Sequence, residues 1–196
     1  MEIRATKISG CYELSPIVFH QDYRGSFVKT FHKDVFSKHG LETNFVEEYY
    51  SVSVQNVLRG LHFQTPPADP NKLVYCPLGR IMDVIVDVRV GSPSYGQFEV
   101  FDLSAENGKM VYMEPGLAHG FYVLSETAMV MYKISQLYSP ENDTGIRWDS
   151  VGIPWPSNNP ILAQRDREFL PLAEFKNPFV YTEKMAICPP ARFANA

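Results

Sequence analysis

The sequence predicts an all-β fold, a sandwich or barrel, and three observations lead there. From Phe45 to Asp143, short runs of apolar and β-branched residues recur at close spacing. Glycine and proline separate them, as in Gly91-Ser92-Pro93 and Pro115-Gly116. Almost no stretch between them has helical periodicity. Many short strands with turn signals and little helix can bury their apolar sides only as two packed sheets or one closed sheet.

Each element follows from local pattern. Met1 to Phe19 alternates loosely, with strands expected around Ile3, Ala5 and Ile8 and around Val18 and Phe19. Asp22-Tyr23-Arg24-Gly25 is a turn, and Ser26 to Phe31 alternates as a strand. Lys33 to His39 is a short helix, stopped by Gly40 just past its end. Val52–Val54 and the stretch around Leu58 to Gln64 are strands, with Pro66-Pro67 as a loop. A hairpin-like return through Lys72-Leu73-Val74 is then expected to set Lys72 beside His62. Ile81 to Val90 is the clearest strand, with Met82, Val84, Val86, Val88 and Val90 on one face and Asp83, Asp87 and Arg89 on the other. Phe98–Leu103, Lys109–Met113, Gly120–Leu124 and Ala128–Ile134 continue the series. Past Trp155-Pro156 the chain turns irregular, with Pro160, Pro171, Pro178, Pro189 and Pro190 spread along it. One domain over residues 1–196 is expected, its tail from about 175 to 196 wrapping the β core.

Composition narrows the function classes. Hydrophobic residues make up 45% and charged residues 20%, ordinary for a chain with a packed core. A net charge of −4 without a basic face speaks against nucleic acid as a partner. No apolar run approaches the roughly 20 residues a membrane helix needs, and the first twenty residues are interrupted by charges. Cys11, Cys76 and Cys188 are odd in number and far apart, which favours reduced thiols and a cytoplasmic location.

The chemistry concentrates between Arg59 and Lys72, where an arginine, a histidine and a lysine sit in strand-forming sequence. Two cations beside an imidazole suit an anionic substrate and a base working near neutral pH. A lone strand histidine is more often a satisfied structural group. Alternation puts His62 and Gln64 opposite Leu61 and Phe63, and Arg59 on the other side from His62. Both can serve one site only if the strand twists or bulges at Gly60. Tyr132 reads first as a core aromatic, and Asp166 as a helix cap or a surface ion pair. Neither His62 nor His119 has a second histidine at ligand spacing, so no metal is expected.

The ordered motifs carry more. Leu58-Arg59-Gly60-Leu61-His62-Phe63-Gln64, Lys72-Leu73-Val74, Asp83 to Arg89, Leu103-Ser104-Ala105-Glu106-Asn107, Pro115 to Phe121, Tyr132-Lys133, Tyr138-Ser139-Pro140 and Gly145-Ile146-Arg147-Trp148 closely resemble the dTDP-4-dehydrorhamnose 3,5-epimerase family. The match runs from about Asp22 to Asp166. The resemblance implies a cupin-type jelly-roll barrel with short peripheral helices, a homodimer, no metal or other cofactor, and a nucleotide-linked 4-keto-6-deoxyhexose as substrate. It makes His62 the base, Asp166 its dyad partner, Tyr132 the acid on the opposite face, and Lys72 the cation beside the developing enolate oxygen. Arg24 and Arg59 match diphosphate and nucleotide contacts, His119 a substrate contact and Tyr138 a stacker on the base. Gln64 is placed among the substrate contacts, and Arg165 and Asp143 stand where the family has a lysine and a glutamate.

The departures fall in the base-reading half. Lys29 stands where a glutamate contacts thymine, and Glu47-Glu48-Tyr49-Tyr50 replaces a Gln-Asp-Asn-His run. A lysine can only donate, and cytosine N3 is an acceptor where thymine N3–H is a donor. A CDP-4-keto-3,6-dideoxyglucose inverted at C5 is therefore the leading expectation, with the dTDP-linked 3,5-epimerase as the alternative. A 3,4-ketoisomerase and a non-catalytic sugar-nucleotide-binding jelly roll are weaker alternatives, because the base–acid set is intact.

Overall fold

The computed structural model describes residues 1–183. Two antiparallel sheets face each other. The first runs, in spatial order, β1 (Ile3–Ala5), β2 (Cys11–Leu14), β10 (Met110–Met113), β7 (Lys72–Leu78), β12 (Thr127–Ile134) and β5 (Glu47–Val54). The second runs β13 (Asp143–Gly145), β6 (Leu58–Gln64), β11 (Leu117–Val123), β8 (Arg80–Asp87) and β9 (Phe98–Ser104). A separate hairpin joins β3 (Val18–Asp22) to β4 (Gly25–Lys29). Helix α1 (Lys33–Lys38) ends as the glycine at position 40 required, with Gly40 at φ 72°. Helix α2 (Gln164–Glu168) and a 3₁₀ turn at Leu172–Glu174 lie near the C-terminal end.

Alternation sorts the side chains into three apolar layers. Val74 and Cys76 of β7, Ile81 and Ile85 of β8, Leu117 and Phe121 of β11, and Ala128 and Val130 of β12 meet between the sheets. The outer face of the second sheet, with Phe63, Val84, Val86 and Ala118, is covered by Ile153, Leu172, Phe175 and Phe179. The outer face of the first sheet, with Leu14, Leu73 and Tyr112, is covered by Phe36 of α1, Leu41 and Phe45. The facing sheet on one side and this outer cover on the other bury β8 on both faces, with Asp83 and Asp87 on the side of Ile81 and Ile85. Of the expected tail only residues 175–183 are described. Phe175 and Phe179 pack edge-on against Phe63, and Val180 bridges to Val90. Cys188, Pro189 and Pro190 lie outside the described residues.

Two expectations need correction. Strand β2, Cys11–Leu14, was not foreseen between the Ile8 and Val18 regions, yet it pairs with both β1 and β10. More consequentially, Lys72 does not return beside His62 by a hairpin. The loop holding Pro66 and Pro67 carries the chain from the second sheet to the first, so β6 and β7 belong to opposite walls. Lys72 shares the inward face of β7 with Val74 and Cys76 and meets His62 across the barrel, as lining of the same cavity.

Candidate active site

At one end the apolar interior gives way to a cavity of about 430 Å³. That lies within the usual range of small-molecule pockets, about 300–1,000 Å³. Its lining includes Arg59, His62 and Gln64 of β6, Lys72 of β7, Asp143 of β13, and Arg165 and Asp166 of α2. Strand β5 adds Glu47 and Tyr49, and Tyr138 stands at the rim.

Gly60 settles how Arg59 and His62 share this space. Between β11 and β6 the register shifts: His119 pairs with His62, but Phe121 pairs with Arg59. One residue of β11, Gly120, thus faces two of β6, a bulge at Gly60-Leu61. Gly60 has φ 141°, and a Cβ there would stand 2.5 Å from Gly120 Cα. Only glycine fits so close to the neighbouring backbone. The extra residue turns Arg59 onto the inward side, where Ser53 Oγ accepts its Nε–H at 2.9 Å.

His62 and Asp166, 104 residues apart, are in direct hydrogen-bond contact at the site. His62 Nε2 lies 2.7 Å from Asp166 Oδ1. Asp166 is 1% exposed, and its Oδ2 accepts the Gly60 backbone N–H at 3.3 Å. With Nε2–H donated to the carboxylate, Nδ1 keeps the lone pair of the neutral ring. Phe169 packs edge-on against the imidazole with centroids 5.8 Å apart. Gly145, opposite His62 in the β13–β6 pairing, leaves room for that phenyl group, because a Cβ there would meet Phe169 at 2.6 Å.

Tyr132 comes from the facing sheet. It is 8% exposed, and burial raises its phenol well above the ordinary range, so the proton stays on at neutral pH. Its ring meets His119 edge-on at 6.0 Å, and His119 is the cross-strand partner of His62. The His62 ring, the His119 ring and the Tyr132 phenol therefore succeed one another around the interior. Burial pushes the Lys72 ammonium down to about 8, with Asp143 acting in the opposite direction. Lys72 makes no ion pair among the described residues, whereas Arg165 is held by Asp143 at 2.7 Å.

The remaining candidates divide. Tyr138 donates its hydroxyl to Asp143 at 3.3 Å and its backbone N–H to Glu47 at 2.8 Å. Gln64 lines the cavity, but its amide is already engaged: it donates to Ala68 O at 2.7 Å and accepts Ser139 N–H at 2.7 Å, tying two loops together. Arg24 and Lys29 do not line this cavity. Both lie on the β3–β4 hairpin, where Arg24 is exposed and paired with Asp22 at 2.6 Å.

Sequence reading missed three groups. Asp83 is fully buried and receives His119 Nε2 at 2.7 Å, a second histidine–aspartate pair. It had looked like the polar face of β8, but it shares the side of Ile81 and Ile85, which the first sheet covers. Ser51 and Ser53 of β5 reach Tyr132 and Arg59. Their alternation with Tyr49 was the available signal.

Comparison with known proteins identifies the family. Residues 5–174 match the family model described as dTDP-4-dehydrorhamnose 3,5-epimerase. A relative of that name from Methanothermobacter thermautotrophicus is 42% identical over 174 residues, covering 86% of this chain and 93% of its own. The 4-keto-6-deoxy sugar epimerase of the novobiocin cluster of Streptomyces spheroides superposes with TM-score 0.85 at 37% identity, covering 89% and 88% of the two chains. The Legionella pneumophila dTDP-6-deoxy-D-glucose-3,5-epimerase, in complex with dTDP-4-keto-L-rhamnose, gives TM-score 0.86 at 33% identity and covers 92% and 98%. The fold is thus the cupin-type jelly roll that the motifs implied. Relatives named for dTDP sugars favour the dTDP alternative over the CDP-linked substrate expected from Lys29. No helix among the described residues is long and apolar enough to cross a membrane. Fold, motif order and family model converge: the chain belongs to the dTDP-4-dehydrorhamnose 3,5-epimerase family, isomerases that epimerise nucleotide-linked deoxysugars.

Proposed function

We propose that this protein inverts C3 and C5 of a dTDP-linked 4-keto-6-deoxyhexose, with His62 as base and Tyr132 as acid. One observation carries the reading: a cavity-lining imidazole 2.7 Å from a carboxylate that is almost wholly buried. The carboxylate fixes the tautomer and stabilises the imidazolium formed when Nδ1 takes a proton. The C4 carbonyl acidifies the hydrogens at C3 and C5, because the electron pair left behind delocalises onto oxygen. Lys72 and Arg59 supply positive charge for that enolate oxygen and for the diphosphate. Tyr132, on the facing wall with its phenol protonated, returns a proton from the opposite side and inverts the centre. His119 backs the sugar site from beneath Tyr132, Tyr138 stacks on the base at the rim, and Gln64, Asp143 and Arg165 frame the nucleotide end.

Arg24 and Lys29 belong to the reading through a homodimer. Their hairpin projects Tyr23, 97% exposed, and Phe27, 62% exposed, which suits a segment seated on a second copy. There it can deliver Arg24 to the neighbouring copy's diphosphate. The enzyme works without a cofactor, in the cytoplasm.

The test is incubation with dTDP-4-keto-6-deoxyglucose in D₂O, alongside the CDP-linked ketosugar. Deuterium at both C3 and C5 of the dTDP sugar is expected. Exchange confined to the CDP sugar, or none with either, overturns the proposal.

A further inference from the structure

Tyr132 has an anchoring problem. The nearest hydrogen-bond partner of its hydroxyl, Ser51 Oγ, is 3.5 Å away, at the outer limit of a useful hydrogen bond. A phenol that must deliver a proton along one line cannot rely on so long a contact for its orientation. Its ring is held instead. Tyr49 stands directly opposite Tyr132 in the β5–β12 pairing. The two rings stack with centroids 4.8 Å apart and planes inclined by 21°. His119 closes the other approach edge-on.

Tyr49 belongs to this chain's departure from the family pattern, in the position where the Gln-Asp-Asn-His run has asparagine. Tyr49 lines the cavity and is 42% exposed, so only part of its ring serves the core. An aromatic at the half-exposed mouth of a barrel contributes less to folding than a buried one, and its stacking geometry is better explained by what it holds. Offset stacking restricts tilt of the partner ring, and tilt about χ1 sets where a tyrosine hydroxyl points.

We propose that Tyr49 is a positioning residue for Tyr132: its ring stacks on the phenol and aims the acid at the face of the sugar opposite His62. The inference rests on the epimerase reading above and adds a residue that the reading does not use. It assigns Tyr49 no proton transfer; the ring, not the hydroxyl, is what matters.

The experiment measures partitioning of the carbanion in D₂O. After His62 removes a proton, the intermediate either receives deuterium from the same side, giving labelled substrate, or is protonated from the Tyr132 side, giving inverted product. Tyr49→Ala should lower the ratio of inversion to same-side return by about 2–13-fold, the range that one aromatic stacking contact supplies. Total hydrogen loss, which depends on His62, should fall much less. Tyr49→Phe should restore the ratio, and thermal unfolding of all three proteins controls for folding. A Tyr49→Ala protein with a raised KM and an unaltered ratio makes Tyr49 a substrate contact and overturns the inference. So does a Tyr49→Phe protein as impaired as Tyr49→Ala, which would make the hydroxyl the working group. Either outcome leaves wild-type exchange intact, and so is separate from failure of the epimerase reading, in which wild type itself exchanges nothing.

Discussion

His62 and His119 stand directly opposite each other on adjacent strands, and each has an aspartate 2.7 Å from its Nε2. The two pairs differ in exposure. His62 keeps about a third of its side chain open to the cavity, while His119 is nearly enclosed beneath Tyr132. One histidine is therefore placed to meet a substrate and the other to line the wall behind it.

Replacing Asp166 with asparagine keeps the shape and a hydrogen bond but removes the charge that stabilises the imidazolium. It also lets the amide oxygen or nitrogen face His62, so the tautomer is no longer fixed. Turnover should fall by about 10²–10⁴-fold, the usual range for loss of efficient acid–base catalysis, with KM changed little. Steady-state kinetics on folded variant checks this. A change confined to KM would count against the dyad.

Lys72 gives the pH dependence. Its ammonium titrates near 8, below the ordinary lysine value, because burial disfavours the charged form. The cation is present below that pH and lost above it, so kcat/KM should decline on the alkaline side with a midpoint near 8. A bound diphosphate raises the lysine again, which should move the kcat limb to higher pH. Lys72→Arg should abolish the alkaline limb in a slower enzyme. The same depressed value means the folded state binds fewer protons than the unfolded chain between about 8 and 10.5, so stability from this group rises with pH there.

Gly145 is constrained from two sides. An added Cβ would lie 2.3 Å from Leu61 O and 2.6 Å from the Phe169 ring. Gly145→Ala should therefore destabilise the fold by about 1–3 kcal/mol, the usual cost of overpacking. It should also displace Phe169 from the His62 ring and lower turnover. Denaturant unfolding and kinetics on one preparation measure both.

Away from the site, Asp87 closes the end of β8. It accepts hydrogen bonds from Arg89 Nε at 2.8 Å and Ser94 Oγ at 2.7 Å. Burial alone would raise this carboxyl, but the hydrogen bonds from Arg89, Ser92 and Ser94 outweigh it and hold it below the ordinary range. A depressed carboxylate stabilises the fold above its unfolded value, about 3.8, and that stabilisation disappears as pH falls through the lower folded value. Asp87→Ala leaves Arg89 buried without its partner and should cost about 3–5 kcal/mol, read by urea unfolding at neutral pH.

What the sequence made legible follows from the range of the physics involved. Alternation in β8 and β12 and the stop at Gly40 are local, and each element was found within a few residues. The need for a bulge at Gly60 also followed from local parity, since Arg59 and His62 otherwise face opposite ways. Sheet membership was not legible: whether β6 and β7 form a hairpin or face each other across a barrel depends on partners dozens of residues distant. Asp166 read locally as a cap or surface ion pair, and only the family motif identified it with His62. Asp83 and Tyr49 escaped because each resembles an ordinary polar or aromatic strand residue until its neighbour on the adjoining strand is known.

The most direct measurement compares hydrogen exchange with inversion in two variants, His62→Ala and Tyr132→Phe, on the dTDP-linked ketosugar in D₂O. His62→Ala should abolish both deuterium uptake and inversion, whereas Tyr132→Phe should retain uptake and lose most inversion. Uptake surviving in His62→Ala, or full inversion in Tyr132→Phe, would contradict a base and an acid acting from opposite walls of the barrel.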